Sequence, residues 1–112
     1  MTVAQGKQAE DRALEYLQRQ GLRLIVRNYR CRIGEIDLIM QDAGVLVFVE
    51  VRQRSSARYG GAAASVGPVK QQRLWRTAEH YLMRYPDQPA CRFDLVAMDG
   101  ESLQWMQDML RR

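Results

Sequence analysis

The chain is 112 residues long, with 17 lysines and arginines against 13 aspartates and glutamates, a formal charge of +4. That length fits a single domain, 1–112, with room for a real core, and a 46% hydrophobic fraction excludes a disordered chain. No apolar run approaches the roughly 20 residues of a membrane span, and Met1-Thr2-Val3-Ala4-Gln5-Gly6-Lys7 lacks the apolar stretch of a signal peptide, so a soluble cytoplasmic protein is expected.

The periodicity predicts a first helix over about residues 5–20, stopped by Gly21, with Ala9, Ala13, Leu14 and Leu17 on its apolar face. A first strand follows near 22–29 and a second over 35–41, after a turn at Gly34. Asp42-Ala43-Gly44 is a hairpin signal leading into a third strand, 45–52, rich in β-branched residues. A loop rich in Gly, Ala and Ser covers about 53–65. Gly67-Pro68 opens a second helix that runs to about Tyr85, before Pro86. Residues 91–98 form a fourth strand, and 103–106 either a short fifth strand or a last helical turn. This order, α-β-β-β-α-β, is an α/β sandwich with a mixed sheet flanked by helices.

The side-chain inventory restricts the chemistry. Cys31 and Cys91 form no CxxC, and His80 stands without a metal-ligand pattern, so zinc sites and multi-histidine hydrolases are excluded. No GxxxxGK[ST] loop occurs. The two cysteines are expected as free thiols. Catalysis, if present, falls to carboxylates, Lys or Arg, with an oxygen-preferring metal as the natural assistant. The basic residues are clustered: Arg23, Arg27, Arg30 and Arg32; then Arg52, Arg54 and Arg58; then Arg73, Arg76 and Arg84. Such clusters suit phosphate backbones, although a solvated surface has the same composition.

Three acidic residues interrupt apolar patterns. In the third strand Val45, Val47, Val49 and Val51 alternate with Leu46, Phe48, Glu50 and Arg52, the pattern of a central strand covered on both faces. Strict alternation in the second strand puts Glu35, Asp37 and Ile39 on one face, opposite Ile36, Leu38 and Met40. The hairpin then brings Asp37 and Glu50 near one another. Glu10 lies along the apolar side of the first helix, beside Ala13, Leu14 and Leu17. Converging carboxylates need cations. Two sources are open: a divalent metal, or arginines in a structural ion-pair cluster, with Arg52 or Arg54 neutralising Glu50 and Asp94.

The run Gly34-Glu35-Ile36-Asp37-Leu38-Ile39, followed by Phe48-Val49-Glu50-Val51-Arg52, resembles the D…(D/E)-x-K motif of restriction-endonuclease-like nucleases. With Ala9-Glu10, Gly21, Arg27-Asn28-Tyr29, Ser65-Val66, Lys70 and Arg92-Phe93-Asp94, the series is similar to the YraN-like family of uncharacterised bacterial proteins, over about residues 6–98. The superfamily includes archaeal Holliday-junction resolvases. The resemblance implies a restriction-endonuclease-like αβββαβ core and Mg²⁺ (or Mn²⁺) held by Asp37, Glu50 and the Val51 carbonyl. It also implies that Glu10 serves as a helix-borne acid, binding the metal directly or through water. The reaction implied is phosphodiester hydrolysis, with DNA as partner, branched DNA as the favoured substrate and a homodimer as the working unit.

One departure bears on mechanism. Arg52 occupies the position of the motif lysine. An arginine stabilises phosphate charge through its bidentate fork but cannot act as a general base. Either the metal alone activates water, or Lys70 assists, or the chain is an inactive nucleic-acid-binding or adaptor module. Arg54, Arg58 and Tyr59, in the loop beside the candidate site, are the expected backbone-binding residues. Trp75, Tyr81 and Tyr85 are expected to pack in the second helix, and Trp105 to cover a sheet edge or support self-association.

Overall fold

The computed structural model describes residues 3–54 and 66–110. Its order is α1 (Val3–Arg19), β1 (Arg23–Arg30), β2 (Glu35–Asp42), β3 (Val45–Arg54), α2 (Pro68–Leu82), β4 (Cys91–Asp99) and β5 (Ser102–Met106). The five strands form one mixed sheet in the order β1-β2-β3-β4-β5. All pairs are antiparallel except β3 and β4, which run parallel because α2 carries the chain back across the sheet. The final segment is therefore a strand, paired through Leu95↔Met106 and Val96↔Trp105.

Each helix boundary has a local cause. α1 ends in a Schellman motif: Gly21 adopts φ +98°, Leu22 N–H donates to the Leu17 carbonyl at 3.1 Å, and Gly21 N–H donates to Gln18 at 3.0 Å. α2 starts at Pro68 after the Gly67 cap. It closes three residues earlier than expected. Met83, Arg84 and Tyr85 donate to the carbonyls three residues back, so the chain tightens into a narrower turn before Pro86.

The two faces of the sheet bury separate cores. Against α1 lie Ala9, Ala13 and Leu17 with Leu38, Met40, Val47, Val49, Val51, Val96 and Met98. Against α2 lie Leu74, Trp75, Ala78, Tyr81 and Leu82 with Ile36, Ile39, Phe48, Phe93 and Leu95. β3 is thus central and covered on both sides, as its doubly apolar pattern predicts. Phe48 sits in an aromatic nest, 5.6 Å from Phe93 and about 6 Å from Trp75 and Tyr81, ring centre to ring centre; T-shaped contacts of this kind add to area burial. Trp75, Tyr81 and Tyr85 are packing residues here. Tyr29 joins this side with an edge-on contact to Tyr81 and a hydrogen bond to His80 Nδ1, a partner that the sequence did not suggest for the histidine.

Alternation in β2 differs from the expectation. Leu38 and Met40 face α1 and Ile39 faces α2, but Ile36 also faces α2. The pleat resets at Asp37. Across the ladder the same happens on β1: Arg27 pairs with Leu38 and Tyr29 with Ile36. Arg27 reaches α1 while Tyr29 packs against α2. Asn28 between them takes φ +56°, the left-handed region that asparagine tolerates better than most residues. That single residue rotates the chain and inverts the faces beyond it.

At the β2–β3 hairpin Ala43 is held at φ +53°, a conformation that costs a residue with a Cβ about 1 kcal/mol. Ala43→Gly should therefore raise stability by about 0.5–1 kcal/mol, read as a higher urea midpoint at unchanged slope.

Candidate active site

β2 and β3 stay paired from Asp42↔Val45 to Leu38↔Val49 and then part. The pleat reset lies at the point of parting. Asp37, the next residue on β2, accepts a hydrogen bond from Val51 N–H at 2.8 Å through its carboxylate. The side chain stands where the next ladder carbonyl would be. An extended residue sends its N–H and C=O to the same side, so the Val51 carbonyl also turns to the gap.

A cleft of about 220 Å³ opens there, lined by Gly6, Ala9 and Glu10 of α1, Glu35 and Asp37 of β2, Glu50 to Gln53 of β3 and Lys70 of α2. Asp37 and Glu50 hydrogen-bond one another. Burial first, then the adjoining Glu50 charge, push the Asp37 carboxyl up to about 8, although the Val51 N–H opposes the shift. Glu50 is buried, and its Oε2 is held by Arg52 Nη2 at 2.7 Å and faced by Lys70 Nζ at 3.6 Å. Glu10 has Arg27 Nε 3.7 Å away, with Asn28 also near enough to lower its carboxyl's shift. Its carboxyl is also raised, by burial first and then by the Asp37 charge.

The structure thus gathers Glu10, Asp37, Glu50, Val51, Arg52 and Lys70 at one cleft. Arg54 ends β3; Arg58 and Tyr59 lie outside the described residues. Two lining groups were missed from sequence as site members. Glu35 reaches the cleft and is tied to Arg30 Nε at 3.1 Å. Gln53 reaches it with a buried Oε1 that has no hydrogen-bond partner among the described residues. Asn28, outside the lining, lies near Glu10 and opposes the rise of its carboxyl. Only Asn28 carried a signal, as an asparagine inside an otherwise regular strand.

Of the ion pairs foreseen, Arg52 with Glu50 is present. Asp94 is neutralised by Arg92, on its own strand, at 3.0 Å. Residues two apart on a strand share a face, so Arg92 needs no fold-level rearrangement to reach it. Arg92 also bonds Asp42 at 3.0 Å. Both cysteines are free thiols.

Among the described residues no three His, Cys, Asp or Glu side chains converge as a metal cage. The donors present are two adjoining carboxylates and a backbone carbonyl. That set suits a small hard cation that keeps most of its water and uses one or two carboxylates, as magnesium does. The crowding of Asp37 on Glu50 is what such a cation would relieve. Among the described residues no helix is long and apolar enough to cross a membrane.

Comparison with known proteins gives relatives across nearly the whole chain. A UPF0102 protein of Ralstonia nicotianae is 60% identical over 111 residues, covering 95% of this chain and 85% of the relative. One of Ralstonia pickettii is 58% identical over 113, covering 96% and 90%. One of Methylibium petroleiphilum is 55% identical over 112, covering 94% and 92%. The family profile described as "Uncharacterised protein family UPF0102" matches residues 9–98, a span that takes in both acidic strands and the helix-borne glutamate, and the chain belongs to that family.

Proposed function

We propose that this chain is a divalent-metal-dependent endonuclease with a restriction-endonuclease-like core, hydrolysing DNA phosphodiesters and favouring branched substrates. The observation that carries the reading is the meeting of Asp37 and Glu50 where β2 and β3 part, with Val51 turned to the same gap and Lys70 and Arg52 against Glu50. Asp37, Glu50 and the Val51 carbonyl would hold Mg²⁺ or Mn²⁺. When bound, that ion supplies the Lewis-acid charge that polarises a phosphodiester and acidifies water.

The remaining roles belong to the chain's own groups. Asp37 is oriented by Val51 N–H, which fixes its carboxylate plane. Arg52, anchored on Glu50, presents a cation for a non-bridging phosphate oxygen. Lys70 sits on a flexible stem at the mouth of the cleft and can follow the phosphate or orient water. Glu10 is placed to accept hydrogen bonds from water on the α1 side.

A second reading is favoured by one contact. Arg52 stands at the motif-lysine position and closes on Glu50 at 2.7 Å, where it cannot accept a proton. On that reading the chain binds nucleic acid without cutting it.

The test is cleavage of labelled four-way junction, flap, duplex and single-stranded DNA with Mg²⁺ or Mn²⁺, with EDTA as control. The nuclease reading expects metal-dependent cutting by the wild type. No cutting by folded wild type, but cutting by Arg52→Lys, favours the binding module. No cutting by either protein overturns the enzyme reading.

A further inference from the structure

A larger groove of about 630 Å³ lies beside the carboxylate cleft, on the outer side of α2. One wall is the β1–β2 turn, with Arg32 and Ile33. The other is α2, with Gln72, Arg73, Arg76 and His80. Gly34 sets how closely the walls approach. A Cβ at this position would stand 3.0 Å from Thr77 Oγ1 and 3.6 Å from the Arg73 stem, and Thr77 is wholly buried with its hydroxyl committed to the Arg73 carbonyl. His80 is fixed in the groove by the Tyr29 hydroxyl at Nδ1.

The charges of this groove are uncompensated. Arg27, Arg30, Arg52 and Arg92 each pair with a carboxylate. Among the described residues Arg32, Arg73 and Arg76 pair with none, and all three are exposed. Folding gains nothing from placing three like charges around one depression, because like charges at this range repel. A bound polyanion reverses that cost.

The groove and the cleft are lined by neighbouring stretches of the same two elements. Glu35 lines the cleft while Ile33 and Arg32, just before it, line the groove. On the opposite wall Lys70, Arg73 and Arg76 recur every three residues, stepping along the helix by ~4.5 Å each. Lys70 touches Glu50 at the start of this row. The ~9 Å of helix axis from Lys70 to Arg76 is long enough to engage more than one phosphate of a strand.

We propose that Arg32, Arg73 and Arg76 form a phosphodiester track that holds the nucleic-acid strand on one side of the phosphate lying at the Asp37–Glu50 cleft. This deepens the nuclease reading and rests on it for the position of the strand. The ligand is a sugar–phosphate backbone, gripped without base readout, because every group on the track is a phosphate donor. Arginine forks favour phosphate oxygens as bidentate partners.

The test measures binding in EDTA, so it does not depend on cleavage. Fluorescence anisotropy with labelled single-stranded DNA, duplex DNA and single-stranded RNA compares the wild type with Arg32→Gln/Arg73→Gln/Arg76→Gln. The control is Arg12→Gln/Arg19→Gln/Arg23→Gln, which removes the same charge from residues outside the groove. The groove variant should lose affinity on the order of 10²-fold near 0.1 M salt, with a salt slope shallower by about 2 to 3. The control should keep the wild-type affinity and slope, and the Lys triple variant at the groove should recover most of the binding. Preference for DNA or for RNA identifies which backbone the track serves, and either supports it.

A groove variant with the wild-type slope overturns the track. So does equal loss in the control, or competition by polyglutamate at equal charge, which would make the groove an acidic-protein site. Cleavage that persists unchanged in the groove variant sinks the track but leaves the nuclease reading standing. Groove-dependent binding without cleavage by the wild type does the reverse.

Discussion

Asp37→Asn should stabilise the folded protein in EDTA at pH 8.5 by about 2 to 3 kcal/mol while lowering metal-dependent cleavage on the order of 10²- to 10³-fold. The stability half follows from linkage. In the unfolded chain the Asp37 carboxyl ionises near its ordinary 3.8; in the folded cleft burial, and then Glu50, hold its proton until about pH 8. Between those values the folded state carries the extra proton, so unfolding free energy falls as pH rises from about 4 to about 8 and is flat above. Part of the Asp37 shift comes from the Glu50 charge, and Arg52 and Lys70 offset that charge. The measured fall is therefore smaller than the full shift of one group.

Asparagine keeps a carbonyl for Val51 N–H and offers an amide to Glu50. It removes the charge that generates the slope. Urea unfolding in EDTA from pH 5 to 9 should show wild-type stability falling with pH and the variant nearly level, the two converging at the acid end. Parallel curves would sink the argument. The cation reading adds a second observable. A divalent ion at ten times its Kd stabilises the wild type by about 1.4 kcal/mol, and this increment should vanish in Asp37→Asn. A residue present only to secure the fold would lose stability on substitution, so the opposite signs of the two effects separate a site built for function from a structural pair.

Asp94→Ala should cost about 3–5 kcal/mol and leave a small domain of this kind largely unfolded at 37 °C. Asp94 is fully buried under the α1 face. Its two oxygens accept from Arg92 Nε at 3.0 and 3.2 Å, Trp105 Nε1 at 2.9 Å and Asp108 N–H at 2.8 Å. Those donors come from the start of β4, from β5 and from the turn after it, so this one carboxylate fastens the last strand to the sheet. Removal leaves three donors unsatisfied or poorly paired, one of them a guanidinium that retains only Asp42. Asp94→Asn keeps acceptors for part of this set and should fall between alanine and wild type. Urea midpoints of the three proteins in that order are the check; an alanine variant within 1 kcal/mol of wild type would show that the network is dispensable.

Much of this molecule is legible in its sequence, for identifiable reasons. The strands announce themselves by β-branched runs bounded by Gly34, Gly44 and Pro86, and β3 reveals its central place by being apolar on both faces. The meeting of Asp37 with Glu50 follows from the hairpin alone. What escaped depends on geometry that no local pattern encodes. The inverted face of Ile36 comes from one left-handed asparagine on the neighbouring strand. Which arginine meets Asp94 could not be chosen from spacing alone; it is Arg92, on the same face of β4. Lys70 could be placed beside the carboxylates only once α2 had a position over β3. Arg32 and the α2 arginines read as separate clusters because a turn and a helix some forty residues apart become one wall-to-wall groove only through the close approach that Gly34 permits.

The backbone irregularities of β1 have a bearing on how copies of this chain can meet. β1 is an outer strand with free hydrogen-bonding groups along its far side, the kind of edge that recruits a neighbouring chain and seeds aggregation. Its ladder slips between Leu24 and Val26, and its course turns at Asn28. A second copy laid alongside would find no unbroken row of donors and acceptors longer than a few residues, and would meet Arg23, Arg27 and Arg30 opposite their own counterparts. The irregularity that lies beside the candidate active-site gap thus guards the chain against strand-to-strand polymerisation along β1. A two-fold assembly through the helices or through β5 meets no such obstacle.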